Sequence, residues 1–315
     1  FFKQKTAYEI TYGDWSSDVC SSDLSGPSRR PTSPTGSPEP ARPAGRRRLP
    51  FSAMTRVGVF GAAGKMGTAV CRAVHEAEGL DLVAAVDPFA AGRSVGEQVP
   101  GIDLVVADSP QALLDAGAEV GVDFTVLEAA RANLDWCAAN GVHAVVGTTG
   151  FSAEDLACYE AAFATSSANA LIAANFAIGA VLMMRFAELA APWFETAEII
   201  ELHHDAKADA PSGTAVVTAQ RMAEASGEWA PDPTRTVIAE GARGGLVAGA
   251  IPVHSVRLRG LVAHQEVLLG TTGQSLAIRH DSYDRTSFMP GVVLAVREVP
   301  GRPGLTLGLD PLLGL

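Results

Sequence analysis

Between residues 203 and 214 the chain holds two adjacent histidines, a lysine four positions after the first, and a Ser-Gly-Thr turn. The stretch reads Glu201-Leu-His203-His204-Asp-Ala-Lys207-Ala-Asp-Ala-Pro211-Ser212-Gly213-Thr214. A histidine gives or takes a proton near neutral pH, and a lysine pairs with a carboxylate or donates in turn. Ser212 is a natural helix N-cap, and the free N–H groups behind it form an anion site. Together these residues describe a pocket for a small anion that gains a proton. Three plainer readings compete: a metal pair, a surface cluster without function, and a simple helix cap. Neither Cys nor a further His stands nearby to complete a zinc set, so no metal is expected.

A second constellation lies upstream. Gly61-Ala62-Ala63-Gly64-Lys65-Met66-Gly67 separates a β-rich run from a helical one. Glycines there let the backbone turn tightly and approach a pyrophosphate, whose charge the helix N-terminus favours, and Lys65 adds a cation. The spacing is one residue longer than the common dinucleotide fingerprint, so a glycine turn without a ligand remains an alternative. Asp87 ends the next strand twenty residues after Gly67, where a carboxylate accepts from an adenosine ribose. Asp-Pro is also a good turn starter in its own right. Pro88 and Phe89 follow where an arginine would hold a 2′-phosphate, which leans toward NADH over NADPH, with Arg93 within reach. Gly147-Thr148-Thr149-Gly150 and Asp123-Phe124-Thr125 end two further strands on the edge where such sheets bind ligands.

The elements that would position these residues alternate. Strands are expected at Thr55–Phe60, Leu82–Val86, Leu104–Ala107, Val120–Thr125, His143–Val146 and Leu171–Ala174. Between several of them run helical stretches, including 128–140, stopped by Gly141, and 153–165, capped by Ser152. Strands alternating with helices predict a parallel sheet covered on both faces. After about Ala177 the rhythm changes. A helix, a strand at Ala197–Leu202 and a helix at Thr214–Ala225 lead to strands near Thr236–Glu240, Val253–Leu258, Gln265–Leu269 and Ser275–His280, then a helix over Arg285–Val296. The predicted class is α/β: a Rossmann-type doubly wound parallel sheet plus a second, α+β domain with a mixed or antiparallel sheet.

Composition sets the outer limits. The 315 residues are 47% hydrophobic and 19% charged, which is globular, and no apolar run is long enough to span a bilayer. Residues 1–53 carry eight Lys/Arg against five Asp/Glu, whereas the rest carries sixteen against thirty. An acidic body argues against a nucleic-acid partner. Cys20, Cys71, Cys137 and Cys158 show no paired or metal-ligand spacing and look like reduced thiols of a cytosolic protein. From Ser25 to Pro50 little is available to bury. Residues 1–53 are therefore read as a disordered or artefactual leader, with a natural disordered tail as the alternative. Residues 54–176, completed by 285–315, form the expected dinucleotide-binding domain, and 177–284 the substrate and oligomerisation domain.

Taken together, Gly-Ala-Ala-Gly-Lys-Met-Gly, Val-Gly-Thr-Thr-Gly-Phe, Ala-Asn-Phe-Ala-Ile-Gly and His-His-x-x-Lys-x-Asp-Ala-Pro-Ser-Gly-Thr-Ala resemble the 4-hydroxy-tetrahydrodipicolinate reductase family. Gly260-Leu-Val-Ala-His-Gln-Glu266 and Asp284-Arg-Thr-Ser-Phe-Met-Pro-Gly291 extend the likeness over residues 54–315. The resemblance implies a proton donor at His203 with Lys207 as its partner, and substrate carboxylates held by His204, Ser212, Gly213 and Thr214. It implies cofactor contacts from Gly61 to Gly67 and at Asp87, Phe124, Gly147, Thr148, Thr149, Ala174, Asn175 and Phe176. Arg285 and Phe288 are expected to return to the cofactor domain. Ala206 departs from the pattern, since some relatives carry a third histidine there.

The same resemblance implies a cytoplasmic enzyme of lysine and diaminopimelate synthesis that uses NADH or NADPH on a small dicarboxylate. It also implies a homotetramer built through the second sheet; with one reactant on each domain, closure about hinges near Phe176 and Tyr283 is expected for turnover. The alternatives are another two-domain dehydrogenase, such as an aspartate or homoserine dehydrogenase, and a cofactor-sensing protein without turnover.

Overall fold

A computed structural model describes residues 54–315, so the expectations for residues 1–53 lie outside the described residues. In chain order the first half runs β1 (Thr55–Phe60), α1 (Lys65–Glu76), β2 (Leu80–Val86), α2 (Gln111–Asp115), β3 (Val120–Asp123), α3 (Leu127–Asn140), β4 (His143–Val146), α4 (Ala153–Thr165) and β5 (Ala170–Ile172). The second half runs α5 (Ile178–Ala190), β6 (Thr196–His203), α6 (Gly213–Ala225), β7 (Gly245–Ala248), β8 (Ile251–Arg257), β9 (Ala263–Thr271), β10 (Gln274–Ser282), α7 (Met289–Glu298), β11 (Leu305–Leu307) and α8 (Asp310–Leu313).

β1 to β5 read as near-continuous apolar runs because a parallel sheet is covered on both faces; all four residues of β3 are buried. Their sheet is wholly parallel, in the order β11-β5-β4-β3-β1-β2. One face packs on a core that includes Val70, Val74, Val292 and Val296 of α1 and α7. The other packs on Leu134, Tyr159 and Phe163 of α3 and α4. α4 starts where a capping box forms: Asp155 N–H donates to Ser152 Oγ, and Ser152 N–H donates to the Asp155 carboxylate. The strand order reverses between β1 and β3, and at such a switch point the carboxyl ends of the strands leave a crevice.

The second sheet has the order β10-β9-β6-β8-β7; β6 lies antiparallel to β9 and parallel to β8, so the sheet is mixed. α5 and α6 cover one face, with Ala187, Ala219 and Met222 against Ile199, Val253 and Val267. Along β6 the alternation sends Ala197, Ile199 and Glu201 inward, so a carboxylate occupies a position that the strand pattern reserves for apolar residues. On the opposite face Ile200, Leu202, Val256 and Leu268 are half-buried.

Several expected boundaries are corrected. No strand forms at 236–240: Val237 and Ile238 are exposed, and β7 comes at Gly245–Ala248, where β8 offers a partner. Residues 104–107 make only isolated bridges, Val105 with Ser94 and Ala107 with Val86. The helix expected from Arg285 begins as a 3-10 turn over Arg285–Phe288 and becomes α-helical at Met289. Sequence periodicity missed β11, whose three residues close the edge of the first sheet beside β5.

Candidate active site

β6 ends at His203, and the segment after it returns to start α6 at Gly213, so one loop carries both the proton-bearing residues and a helix N-terminus. Ser212 caps that helix by accepting from Ala215 N–H at 3.3 Å. Its own N–H donates to Glu201 Oε1 at 3.2 Å, which leaves the N–H groups of Gly213 and Thr214 for an anion. Lys207 Nζ donates to both carboxylate oxygens of Asp209 at 2.8 Å. That contact holds the Asp209 carboxyl below the usual range.

Glu201 organises the floor of the site. It is wholly buried and takes a two-pronged contact from Arg257, Nη1 to Oε2 at 2.8 Å and Nη2 to Oε1 at 2.9 Å. Burial pushes its carboxyl up, but its polar neighbours, Arg257 first and then Ser255 and His203, outweigh this and hold it below the ordinary value. An ionised carboxylate only accepts, so His203 Nδ1 carries the proton in their 2.5 Å contact and Nε2 is the free ring nitrogen. Burial lowers the affinity of His203 for a second proton; Glu201 opposes this, Lys207 and Arg257 add to it, and the net shift is downward. The imidazole therefore rests neutral, with a lone pair on Nε2.

His203, Lys207, Ser212, Gly213 and Thr214 line one cavity of about 500 Å³ together with Thr149, Ala174 and Asn175 from the first-sheet half. Asn175 Nδ2 donates to Thr214 Oγ1 at 3.3 Å across that boundary. Arg221, one of the lining residues, reaches Asp310 of α8 at 2.6 Å. His204 is exposed and lies outside this cavity wall, because the strand alternation turns it away from His203.

The glycine loop fits a dinucleotide. A Cβ on Gly67 would sit 2.0 Å from the Gly61 carbonyl oxygen, so only glycine lets α1 start this close under the turn. The first turn of α1 then presents N–H groups, with Lys65 exposed beside them. Asp87 ties the loop to β2, accepting from Ala63 N–H at 3.3 Å and from Phe89 N–H at 3.1 Å. Arg93 stands against Ala62 and Ala63, paired with Glu97 at 3.2 Å. Farther along the same edge, a Cβ on Gly147 would strike the Phe124 ring at 2.0 Å, so only glycine lets the backbone pass this close to that ring. Phe124 in turn packs on Phe176, ring centroids 5.2 Å apart. Thr148 Oγ1 donates to Thr125 O at 3.0 Å. Ala62, Met66 and Phe288 pack in the first-sheet core, and the 3-10 turn carrying Arg285 and Phe288 lies against α1; Arg285 itself is exposed.

Three groups in the site carried no role in the sequence reading. Glu201 and Arg257 are 56 residues apart, and only the parallel pairing of β6 with β8 brings them together. Gln265 of β9 is buried behind His203 in an adjoining cavity of about 200 Å³. A carboxylate at an inward strand position was the one signal within local view.

Residues 55–176 match the family model described as dihydrodipicolinate reductase, N-terminus, and residues 179–313 the corresponding C-terminus. The chain is 53% identical over 262 residues to 4-hydroxy-tetrahydrodipicolinate reductase of Mycobacterium ulcerans (strain Agy99), covering 82% of this chain and 99% of that one. It is 53% identical over 265 residues to the protein of that name from Nocardia farcinica (strain IFM 10152), with the same coverage. Among solved structures it is similar to dipicolinate-bound dihydrodipicolinate reductase from Paenisporosarcina sp. TG-14. There the TM-score is 0.72 and the identity 40%, covering 82% of this chain and 99% of the other.

Proposed function

The chain belongs to the dihydrodipicolinate reductase family, and from that premise we propose how it reduces 4-hydroxy-tetrahydrodipicolinate to tetrahydrodipicolinate on the diaminopimelate route to lysine. The observation that carries the reading is the single cavity in which His203, Lys207 and the start of α6 face Thr149 and Asn175 of the cofactor half. A bound reduced nicotinamide supplies a hydride. The hydroxyl leaves as water with a hydrogen from the adjoining ring carbon, and the unsaturated ring then takes the hydride and one proton.

Lys207 and the N–H groups of Gly213 and Thr214 take the two substrate carboxylates, with Asp209 giving up its hold on the lysine. The arriving dianion raises the proton affinity of the neutral His203 ring, whose Nδ1–H stays on Glu201. A proton taken up at Nε2 is thereby poised for delivery to the ring, with Lys207 as the other candidate donor. Replacing either His203 or Lys207 by Gln lowers turnover by about 10²–10³ if each acts as acid–base or charge partner. The assay is NADH oxidation, with substrate generated from pyruvate and aspartate semialdehyde by the preceding synthase. Rates close to wild type in both variants would remove this mechanism.

The finer assignments belong to the same proposal. NADH is favoured over NADPH because Asp87 and Phe89 border the ribose position, although Arg93 beside the loop offers a cation for a 2′-phosphate. The ratio of kcat/KM for the two cofactors tests this. We divide the chain into residues 54–176 with 285–315, and 177–284, because the first set holds the parallel sheet and the second the mixed one. A homotetramer would cover the half-buried outer face of the second sheet, and sedimentation equilibrium gives its mass. Cytoplasmic residence accords with dependence on the reduced nicotinamide pool; among the described residues no helix is long and apolar enough to cross a membrane.

A further inference from the structure

Gln265, on β9, borders a cavity beside the one that holds Lys207 and the start of α6. It is 4% exposed and lines the cavity of about 200 Å³ that adjoins the carboxylate pocket, with His203, Ser212, Thr214 and Asn175 common to both. Its amide orientation follows from its neighbour. Thr218 Oγ1 donates its one proton to the Thr214 carbonyl at 2.7 Å, so that oxygen has only lone pairs left to offer. The end of Gln265 that meets it at 2.8 Å must therefore be the NH₂ group, and the carbonyl oxygen is the opposite end. That oxygen is buried and has no hydrogen-bond partner among the described residues. A buried acceptor without a donor is costly, so a donor brought beside it is favoured.

The substrate's own groups narrow what that donor is. Both carboxylates only accept, and a neutral ring imine nitrogen accepts as well. The 4-hydroxyl is the remaining group and the one that donates. We infer that the side-chain carbonyl of Gln265 accepts a hydrogen bond from the substrate's hydroxyl, and so selects the hydroxylated ring and turns the hydroxyl oxygen's lone pairs toward His203. The inference rests on the reductase reading above. The tetrahydrodipicolinate product lacks the hydroxyl, so the same contact disappears on turnover and favours exchange of product for substrate.

The test compares two ligands that differ at that group. Gln265→Met keeps the length of the side chain and removes the acceptor. It lowers kcat/KM for 4-hydroxy-tetrahydrodipicolinate by about three- to tenfold, the worth of one neutral hydrogen bond. Inhibition by dipicolinate, which has both carboxylates and no hydroxyl, stays within about twofold of wild type. Equal losses with both ligands mean that the side chain only shapes the pocket, and no loss with either means that water serves the oxygen; each result overturns the inference. Should Gln265→Met not fold, Thr218→Val releases the amide and gives a smaller loss confined to the hydroxylated substrate, equal or absent losses again counting against it. Wild-type protein that fails to reduce the substrate removes the reductase reading together with this one, an outcome visible before any variant is compared.

Discussion

Replacing Glu201 by Gln changes no volume and removes one charge from a site with no exposure. The carboxylate accepts four hydrogen bonds: Oε2 from Arg257 Nη1 and His203 Nδ1, Oε1 from Arg257 Nη2 and the Ser212 N–H. A glutamine can orient its oxygen toward one pair only. With the NH₂ group on the Oε1 side both bonds there are lost; on the Oε2 side the Arg257 bond is lost and His203 keeps a contact only by reversing its tautomer, and in either case Arg257 loses its counter-charge. Breaking a buried pair from one side costs about 3–5 kcal/mol; because the Arg257 side chain keeps 20% exposure, about 3 kcal/mol is expected. For a domain of this size that lowers the midpoint of thermal unfolding by about 6–12 °C.

Catalysis should suffer separately, since Glu201 selects the ring tautomer of His203 and raises its proton affinity. A fall in kcat/KM of about 10² is expected, with the alkaline limb of its pH profile displaced to lower pH, because the donor loses its proton sooner. Glu201→Asp retains the charge and recovers part of both losses. The assays are calorimetry and NADH oxidation between pH 5.5 and 8.5. A Gln variant that melts with wild type and keeps its pH profile would refute the role given to this carboxylate.

Other outcomes follow from single contacts. Gly67→Ala places a Cβ 2.0 Å from the Gly61 oxygen, so dinucleotide affinity falls at least about tenfold, read by fluorescence titration, while dipicolinate binding is spared. Burial holds His143, His203 and His280 below the ordinary histidine value of 6.5. The folded state therefore binds fewer protons than the unfolded one just below that value, and melting temperature drops as pH falls from 7.5 to 5.5. Arg221→Ala severs the 2.6 Å contact with Asp310 that joins α6 to α8, raising KM and making it less sensitive to salt. Under native conditions alkylation reaches exposed Cys158. It spares Cys71, whose thiol burial pushes up to about 12, and buried Cys137, as peptide mass mapping will show.

Local chemistry was legible in the sequence where local contacts decide the structure. Ser152 starts α4 and Gly141 stops α3 because each acts on residues a turn away. β4 was read with its observed bounds, since a buried strand between a helix stop and a glycine turn leaves little choice. Residues 236–240 look like a strand by composition, but pairing needs a neighbour, and none of the described strands runs beside them. β11 is too short to show a period; its place depends on an open edge left by β5, 135 residues earlier in the chain at Ala170 and Leu305. The loop from His203 to Thr214 was legible as a site because its groups are close in sequence. Glu201 and Arg257 were not, because their meeting depends on strand register, and Gln265 lay within a quoted motif without a visible reason.

The return of the chain to its first sheet bears on synthesis. β11 pairs with β5, and α7 packs against α1, so the parallel sheet is finished by residues encoded after the whole mixed sheet. While those residues are still inside the ribosome, β5 is an uncovered edge and the α7 side of the nucleotide-binding core stands open to solvent. The mixed-sheet half, encoded between them, can close its own core earlier. A nascent chain of this protein should therefore complete its mixed-sheet half before its parallel-sheet half, against the order in which the two begin. A stop codon placed just before Leu305, which removes β11 and α8, would abolish nucleotide retention while leaving the mixed-sheet half folded.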